Sequence, residues 1–167
     1  MKRLIALLLV ALTAVAVFAG CGSSENAASK TPGDAQNVQE QGKTVDLNAV
    51  MQAVNDAAGV TAEKLESAND LKRYYRIDPA DVKQFAAQKD SDNHFVLVEA
   101  TDAAAASRVQ EALNKKLEDI VRDSTSYSPE KAEIVKKCTA TIDGTFVSLI
   151  ITDKADEALQ AYKSKIQ

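Results

Sequence analysis

The sequence predicts an α+β domain: a four-stranded, mostly antiparallel sheet made of two hairpins, with a long helix and a C-terminal helix on one face and shorter N-terminal helices. Three observations carry this. His94–Ala100 (HFVLVEA) is a short run rich in Val and Phe, the composition of a strand. Asp143-Gly144 stands between two apolar runs and reads as a two-residue hairpin turn. Apolar residues recur at helical spacing from Ala106 to Val121 and again from Ala155 to Ile166.

A chain of 167 residues has room for one domain with a tail. Its segments divide as a leader over residues 1–20, a linker over 21–44 and the α+β domain over 45–167. Composition is 46% hydrophobic and 26% charged, with a net charge of −4 that loss of Lys2 and Arg3 would take to −6. An acidic chain without a basic block is a poor nucleic-acid ligand, so no nucleic-acid partner is expected. One His and two Cys exclude most His/Cys metal sites and any multi-bridge disulfide scaffold, and no cofactor is expected.

The leader begins with Lys2-Arg3 and continues through residues 4–19, apolar apart from Thr13. That is short of the roughly 20 residues a spanning helix needs and suits a secretory signal. It ends in Phe18-Ala19-Gly20-Cys21, which resembles the lipobox of bacterial lipoprotein signals, with Phe18 where Leu is usual. The resemblance implies a diacylglycerol on Cys21, cleavage before it, and a protein held by lipid on the outer face of the cytoplasmic membrane of a Gram-positive-type bacterium. Two acyl chains suffice for stable anchoring, at about 0.8 kcal/mol per buried CH₂. The alternative is an ordinary signal ending at Val17-Phe18-Ala19, which would release a soluble protein and leave Cys21 free to pair with Cys138. Residues 22–43 (GSSENAASKTPGDAQNVQEQGK) hold one large apolar residue and cannot offset chain entropy by burial. A coil of that length spans about 25 Å.

Within the domain, Asp46 is a helix cap before Leu47, Val50, Met51 and Val54, and Gly59 is a stop. A short helical piece follows over residues 70–75. Asp78-Pro79-Ala80-Asp81 has the cap and early proline of a helix start. Residues 82–88 stay open between helix, which suits Val82, Phe85 and Ala86, and a strand paired with residues 94–100. Asp102 caps the longest helix, with Glu111/Lys115 and Glu118/Arg122 as i,i+4 pairs on its wet face. Ser128-Pro129 starts a further helical turn. With Asp143-Gly144 as the turn, Ile142 faces Thr145, Ala140 faces Val147 and Cys138 faces Leu149, all on one side of the sheet with Ile151. Asp153 is read as the cap of the last helix. Phe95, Leu97, Phe146 and Ile150 make a second apolar face that something must cover: the first helix, or a protein partner.

Motifs that could carry chemistry are weak. Ser128-Pro129-Glu130-Lys131 matches S-x-x-K and Ser91-Asp92-Asn93 matches S-D-N, but in the wrong order for a serine β-lactamase and with no K-T-G after them. Asp90-Ser91-Asp92-Asn93-His94 opens like a calcium loop, yet Phe95 stands where Gly is needed and Thr101 where a bidentate Glu is needed. His94 is read as a loop residue, Cys138 as a small buried hydrophobe. Tyr74-Tyr75-Arg76 offers two rings and a guanidinium, the residue types enriched at binding hot spots, although one Tyr turned inward would be the simpler arrangement.

From about Leu47 to Ile166 the chain resembles a lipoprotein family of Gram-positive bacteria catalogued as domain of unknown function 4358. The resemblance is carried by Leu71-Lys72-Arg73-Tyr74-Tyr75-Arg76-Ile77-Asp78, by Tyr127-Ser128-Pro129-Glu130 and by the stretch from Asp143 through Ile151, DGTFVSLII. Position 76 is more often Gly in that family. The resemblance implies no catalytic residue, and its members' association with membrane O-acyltransferases implies an accessory role in modifying cell-surface polymers. The expected function is therefore a membrane-anchored, extracytoplasmic, non-enzymatic interaction domain. Its lipid attachment is Cys21 and its candidate partner surface is Tyr74, Tyr75, Arg76, Phe146 and Ile150. The alternative is a small-ligand or polymer-fragment binder serving cell-envelope polysaccharide modification, which a pocket holding Tyr74, Tyr127 or Arg76 would favour.

Overall fold

The computed structural model describes residues 44–167; the leader, Cys21 and the linker up to residue 43 lie outside the described residues. Eleven elements follow in chain order: α1 Leu47–Ala58, β1 Glu63–Lys64, α2 Ala68–Tyr75, a 3₁₀ turn Pro79–Asp81, β2 Val82–Lys89, β3 His94–Ala100, α3 Ala103–Tyr127, α4 Pro129–Val135, β4 Thr141–Asp143, β5 Phe146–Ile151 and α5 Ala155–Ile166. The sheet has five strands in the order β1-β2-β3-β5-β4, every neighbouring pair antiparallel.

The helix ends follow local chemistry. Asp46 Oδ1 accepts from the N–H groups of Asn48 and Ala49 at the start of α1, and Gly59 closes it at φ 68°. Ser67 and Asp70 form a reciprocal capping box on α2. Asp102 Oδ1 accepts from Ala105 N–H at 2.7 Å to begin α3. The expected caps of the last two helices are absent: Ser128 makes no side-chain bond into α4, and Lys154, not Asp153, is the residue before α5.

β3 lies at the centre, and all seven of its residues are buried. This explains why HFVLVEA shows no polar alternation: both faces of the strand are covered. On one face Val96, Val98 and Ala100 join Val147, Leu149 and Ile151 of β5, beneath Ala105, Ala106, Val109 and Leu113 of α3, Val135 of α4, and Leu71 and Tyr75 of α2. On the other, Phe95, Leu97 and Ile150 meet Leu47, Val50 and Val54 of α1 and Ala158 and Tyr162 of α5.

The structure corrects the expected architecture in three places. The sheet has a fifth strand: β1, two exposed residues paired to Lys89 and Gln88, is too short and polar to show alternation. The C-terminal helix does not share a face with the long helix. With α2, α3 and α4 filling one side, α5 docks beside α1 on the opposite side and helps to cover Phe95, Leu97 and Ile150. The covering of that second face is thus internal. Finally, the last hairpin turns at Gly144-Thr145, with Asp143 opposite Phe146 and Ile142 opposite Val147. The positive φ of 62° falls on Gly144, the first central residue, which is the glycine position of a type II′ turn. Every side chain keeps its expected face, because both strands slide by a whole pleat. β4 begins only at Thr141, because α3 holds the preceding backbone: Gln110 Nε2 donates to Ala140 O at 3.0 Å and Asn114 Oδ1 accepts from Ala140 N–H at 3.3 Å.

Candidate functional site

The C-terminal end of α2 gathers the residues the sequence singled out. Leu71 and Tyr75, four apart, face the core, which leaves Lys72 and Arg73 outward and Tyr74 at the margin. Arg76 then takes a left-handed conformation at φ 60°, the one non-glycine residue with positive φ among the described residues. A side chain there costs about 1–2 kcal/mol relative to glycine. Its guanidinium reaches Asp119 of α3 at 2.9 Å, and Arg122 holds the same carboxylate at 2.7 Å. The Arg122 hydrogen bond, then both guanidinium charges, keep Asp119 below the usual carboxylate range against the opposing effect of burial.

Tyr74 is flanked by two cations, with Arg73 Cζ 5.2 Å and Lys89 Nζ 4.8 Å from its ring centroid. Neither cation has a carboxylate partner among the described residues. Tyr75 is fully buried, its phenol oxygen 2.9 Å from His94 Nδ1 and the two rings edge to face at 86°. His94 is not the loop residue expected. As the first residue of β3 it shares the inward face of Val96 and Val98, and it is only 7% exposed. Burial, and then the charges of Lys131, Lys116 and Lys89, lower its pKa from 6.5 to about 4, with Asp90 opposing. Burial also pushes the Tyr75 phenol up, so phenol and imidazole are both neutral and share one hydrogen bond, whose donor is set by the imidazole tautomer.

The S-x-x-K and S-D-N fragments do meet in space, through Lys131. Its ammonium donates to the carbonyl oxygen of Ser91 and lies 3.4 Å from Asp92 Oδ1. The contact pins the β2–β3 turn, where Asp90 Oδ1 accepts from the N–H groups of Asp92 and Asn93 at 2.7 Å. The lysine is spent on a main-chain oxygen, and the aspartates on turn geometry, so neither fragment is arranged to activate a hydroxyl or hold a cation. No group of three or more His, Cys, Asp or Glu is placed to hold a metal among the described residues.

Of the other candidates, Ile150 is buried and Phe146 half-buried under α1 and α5, leaving Tyr74 and Arg76 as the accessible part of the expected surface. Tyr127 is 90% exposed and lines neither the groove between α3 and α4 nor the cavity between α1 and β2. Cys138 is buried, and burial raises its thiol pKa. Among the depressions of the described residues are an open apolar groove of about 350 Å³ between α3 and α4, floored by Leu117, Val121 and Val135, and a polar cavity of about 210 Å³ between α1 and β2. Sequence reading missed the second, since its amides come from two elements far apart in sequence, Asn48, Gln52 and Asn55 from α1 and Gln88 from β2.

The fold and site thus define a three-layered α+β domain: a five-stranded sheet covered by helices on both faces, with Tyr74 between Arg73 and Lys89 at one margin. Residues 56–152 match the family model described as Domain of unknown function (DUF4358), and the chain belongs to that family. No curated protein and no solved structure matches the chain.

Proposed function

We propose that this chain is a membrane-anchored, extracytoplasmic lipoprotein whose domain is a non-enzymatic interaction module, docking through the Tyr74 corner onto an acidic surface of a protein at the cell envelope. The observation that carries the reading is the Arg73/Tyr74/Lys89 stack, whose cations have no carboxylate partner among the described residues, on a chain whose net charge is −4. Exposed cations around an anchored ring pair with carboxylates and leave the ring to supply apolar contact area. The lipid anchor rests on the Cys21 motif, and the non-enzymatic character on polar groups that are tied into structural contacts at His94, Lys131 and Asp90.

A photo-crosslinking amino acid at position 74 of the intact lipoprotein in membranes tests this. The expected result is one discrete adduct, lost when Arg73→Glu and Lys89→Glu are combined and absent when the probe is moved to Glu157 on α5. No adduct at position 74, or one indifferent to the charge reversals, would contradict the reading. A second reading, a small-ligand or polymer-fragment binder that assists polysaccharide modification at the envelope, is favoured by the cavity between α1 and β2.

A further inference from the structure

His94 is the only histidine of the chain, and its contact with Tyr75 occupies one ring nitrogen, Nδ1. The other, Nε2, has no hydrogen-bond partner among the described residues. The buried side-chain atoms that are both unpartnered and sealed from solvent lie elsewhere, at Asn55, Gln88 and Tyr162, so Nε2 keeps an opening to the outside. On a residue only 7% exposed, a polar atom that is neither paired nor sealed is open to a ligand.

Cations gather around this nitrogen from three elements. Lys89 of β2 pairs directly with His94 of β3, and residues opposed in this way project from the same face of the sheet. Lys116, half-buried on α3, and Lys131 of α4 stand close enough that their charges, with that of Lys89, act on the imidazole. Lys131 is spent on the Ser91 carbonyl and on Asp92. Lys89 rests 4.8 Å from the Tyr74 ring centroid, and neither it nor Lys116 has a carboxylate partner among the described residues. The carboxylates whose charges reach this corner are committed to other groups. Asp90 accepts from the N–H groups of Asp92 and Asn93, and Asp119 is held by Arg76 and Arg122.

The donors decide what would bind. A neutral imidazole carries one hydrogen, and when the Tyr75 hydroxyl donates to Nδ1 that hydrogen stands on Nε2. One N–H and two ammonium groups without carboxylates call for a negatively charged acceptor and repel a cation. They come from β2, β3 and α3, so a tetrahedral group can offer each its own oxygen, where a planar carboxylate has only two. A dianion also offsets both free charges. We infer that Nε2 of His94 and the ammonium groups of Lys89 and Lys116 form a binding site for one phosphate group, free or carried as a monoester. Lys89 is shared with the Tyr74 corner, but His94 and Lys116 belong to this site alone, so either reading can fail without the other.

The single histidine makes the test direct, because ring ¹⁵N spectra of the full labelled chain in detergent at pH 7 report His94 alone. Sodium phosphate, glycerol 3-phosphate and sodium acetate are titrated, with sodium chloride at matched ionic strength as the control. At least one of the two phosphate compounds is expected to move the Nε2 signal saturably. It should also raise the pKa of His94 above about 4, since a bound dianion favours the imidazolium. Acetate is expected to bind at least about tenfold more weakly and chloride to leave the signal in place. Lys116→Gln is expected to weaken phosphate binding at least about tenfold, the loss of one charge-assisted hydrogen bond, with the melting temperature of the free protein unchanged. The same variant should keep the crosslink from position 74, which separates this site from the docking corner. A shift that chloride reproduces, no saturable response to either phosphate compound, acetate binding as tight as phosphate, or a phosphate affinity that Lys116→Gln leaves unchanged would overturn the inference.

Discussion

Acid should destabilise this domain through His94, beyond what its paired carboxylates contribute. His94 is buried with a pKa lowered from 6.5 to about 4, so the folded state holds the imidazole neutral through a range in which the unfolded chain protonates it. Between those values the unfolded state binds more protons, and stability therefore rises with pH. The contribution is fully present above 6.5 and is lost as pH falls towards 4. A difference of that size corresponds to about 3 kcal/mol, and for a domain of this length to a melting shift on the order of 10 °C. Urea denaturation at pH 7.5 and pH 4.2, on the native protein and on His94→Gln, isolates it. Gln offers the Tyr75 hydroxyl both a donor and an acceptor and does not titrate, while the carboxylates are the same in both proteins. The native protein is expected to lose about 3 kcal/mol more than the variant between the two conditions. Equal losses would refute the buried, neutral His94 and the Tyr75 contact built on it.

Arg76→Gly is expected to stabilise the domain by up to about 1 kcal/mol, because relief of the left-handed conformation exceeds the loss of an exposed ion pair that Arg122 already duplicates; Arg76→Val should destabilise by at least about 1 kcal/mol in the same denaturation experiment. Ala158→Asp buries a charge between α5 and the sheet and is expected to unfold the domain at 25 °C, while Gln160→Asp on the exposed side of α5 stays within about 0.5 kcal/mol of the native protein, both followed by circular dichroism. Thiol titration of the membrane-extracted native protein should find no fast-reacting group: Cys138 is buried with a raised pKa, and Cys21 is blocked by lipid in the proposed form. One thiol should appear in urea.

The elements with strong local signals were legible. Asp46, Asp102 and Gly59 act as punctuation through their own side chains or lack of one: α1 begins and ends, and α3 begins, where they stand. The faces of β5 were legible because alternation is a local property, although the turn itself moved by one residue. What escaped depends on distant partners. β1 exists because Lys89 and Gln88 offer it an edge, and α5 changes face because α3 and α4 already occupy the other. His94 was misread because a polar residue bordering a turn looks solvated until Tyr75, remote in sequence, is brought against it. The cavity was invisible for the same reason: Asn55, Gln88 and Lys64 have no common spacing, and only the packing of α1 on β2 juxtaposes them.

The account's central claim is that the domain works outside the cell, tied to a bilayer by Cys21, and intact-mass spectrometry of the protein from membrane and cytosolic fractions tests it most directly. The predicted species is a membrane-bound chain beginning at Cys21 and carrying a diacylglycerol. A full-length precursor in the cytosol, or a secreted chain with an unmodified Cys21 thiol, would contradict it.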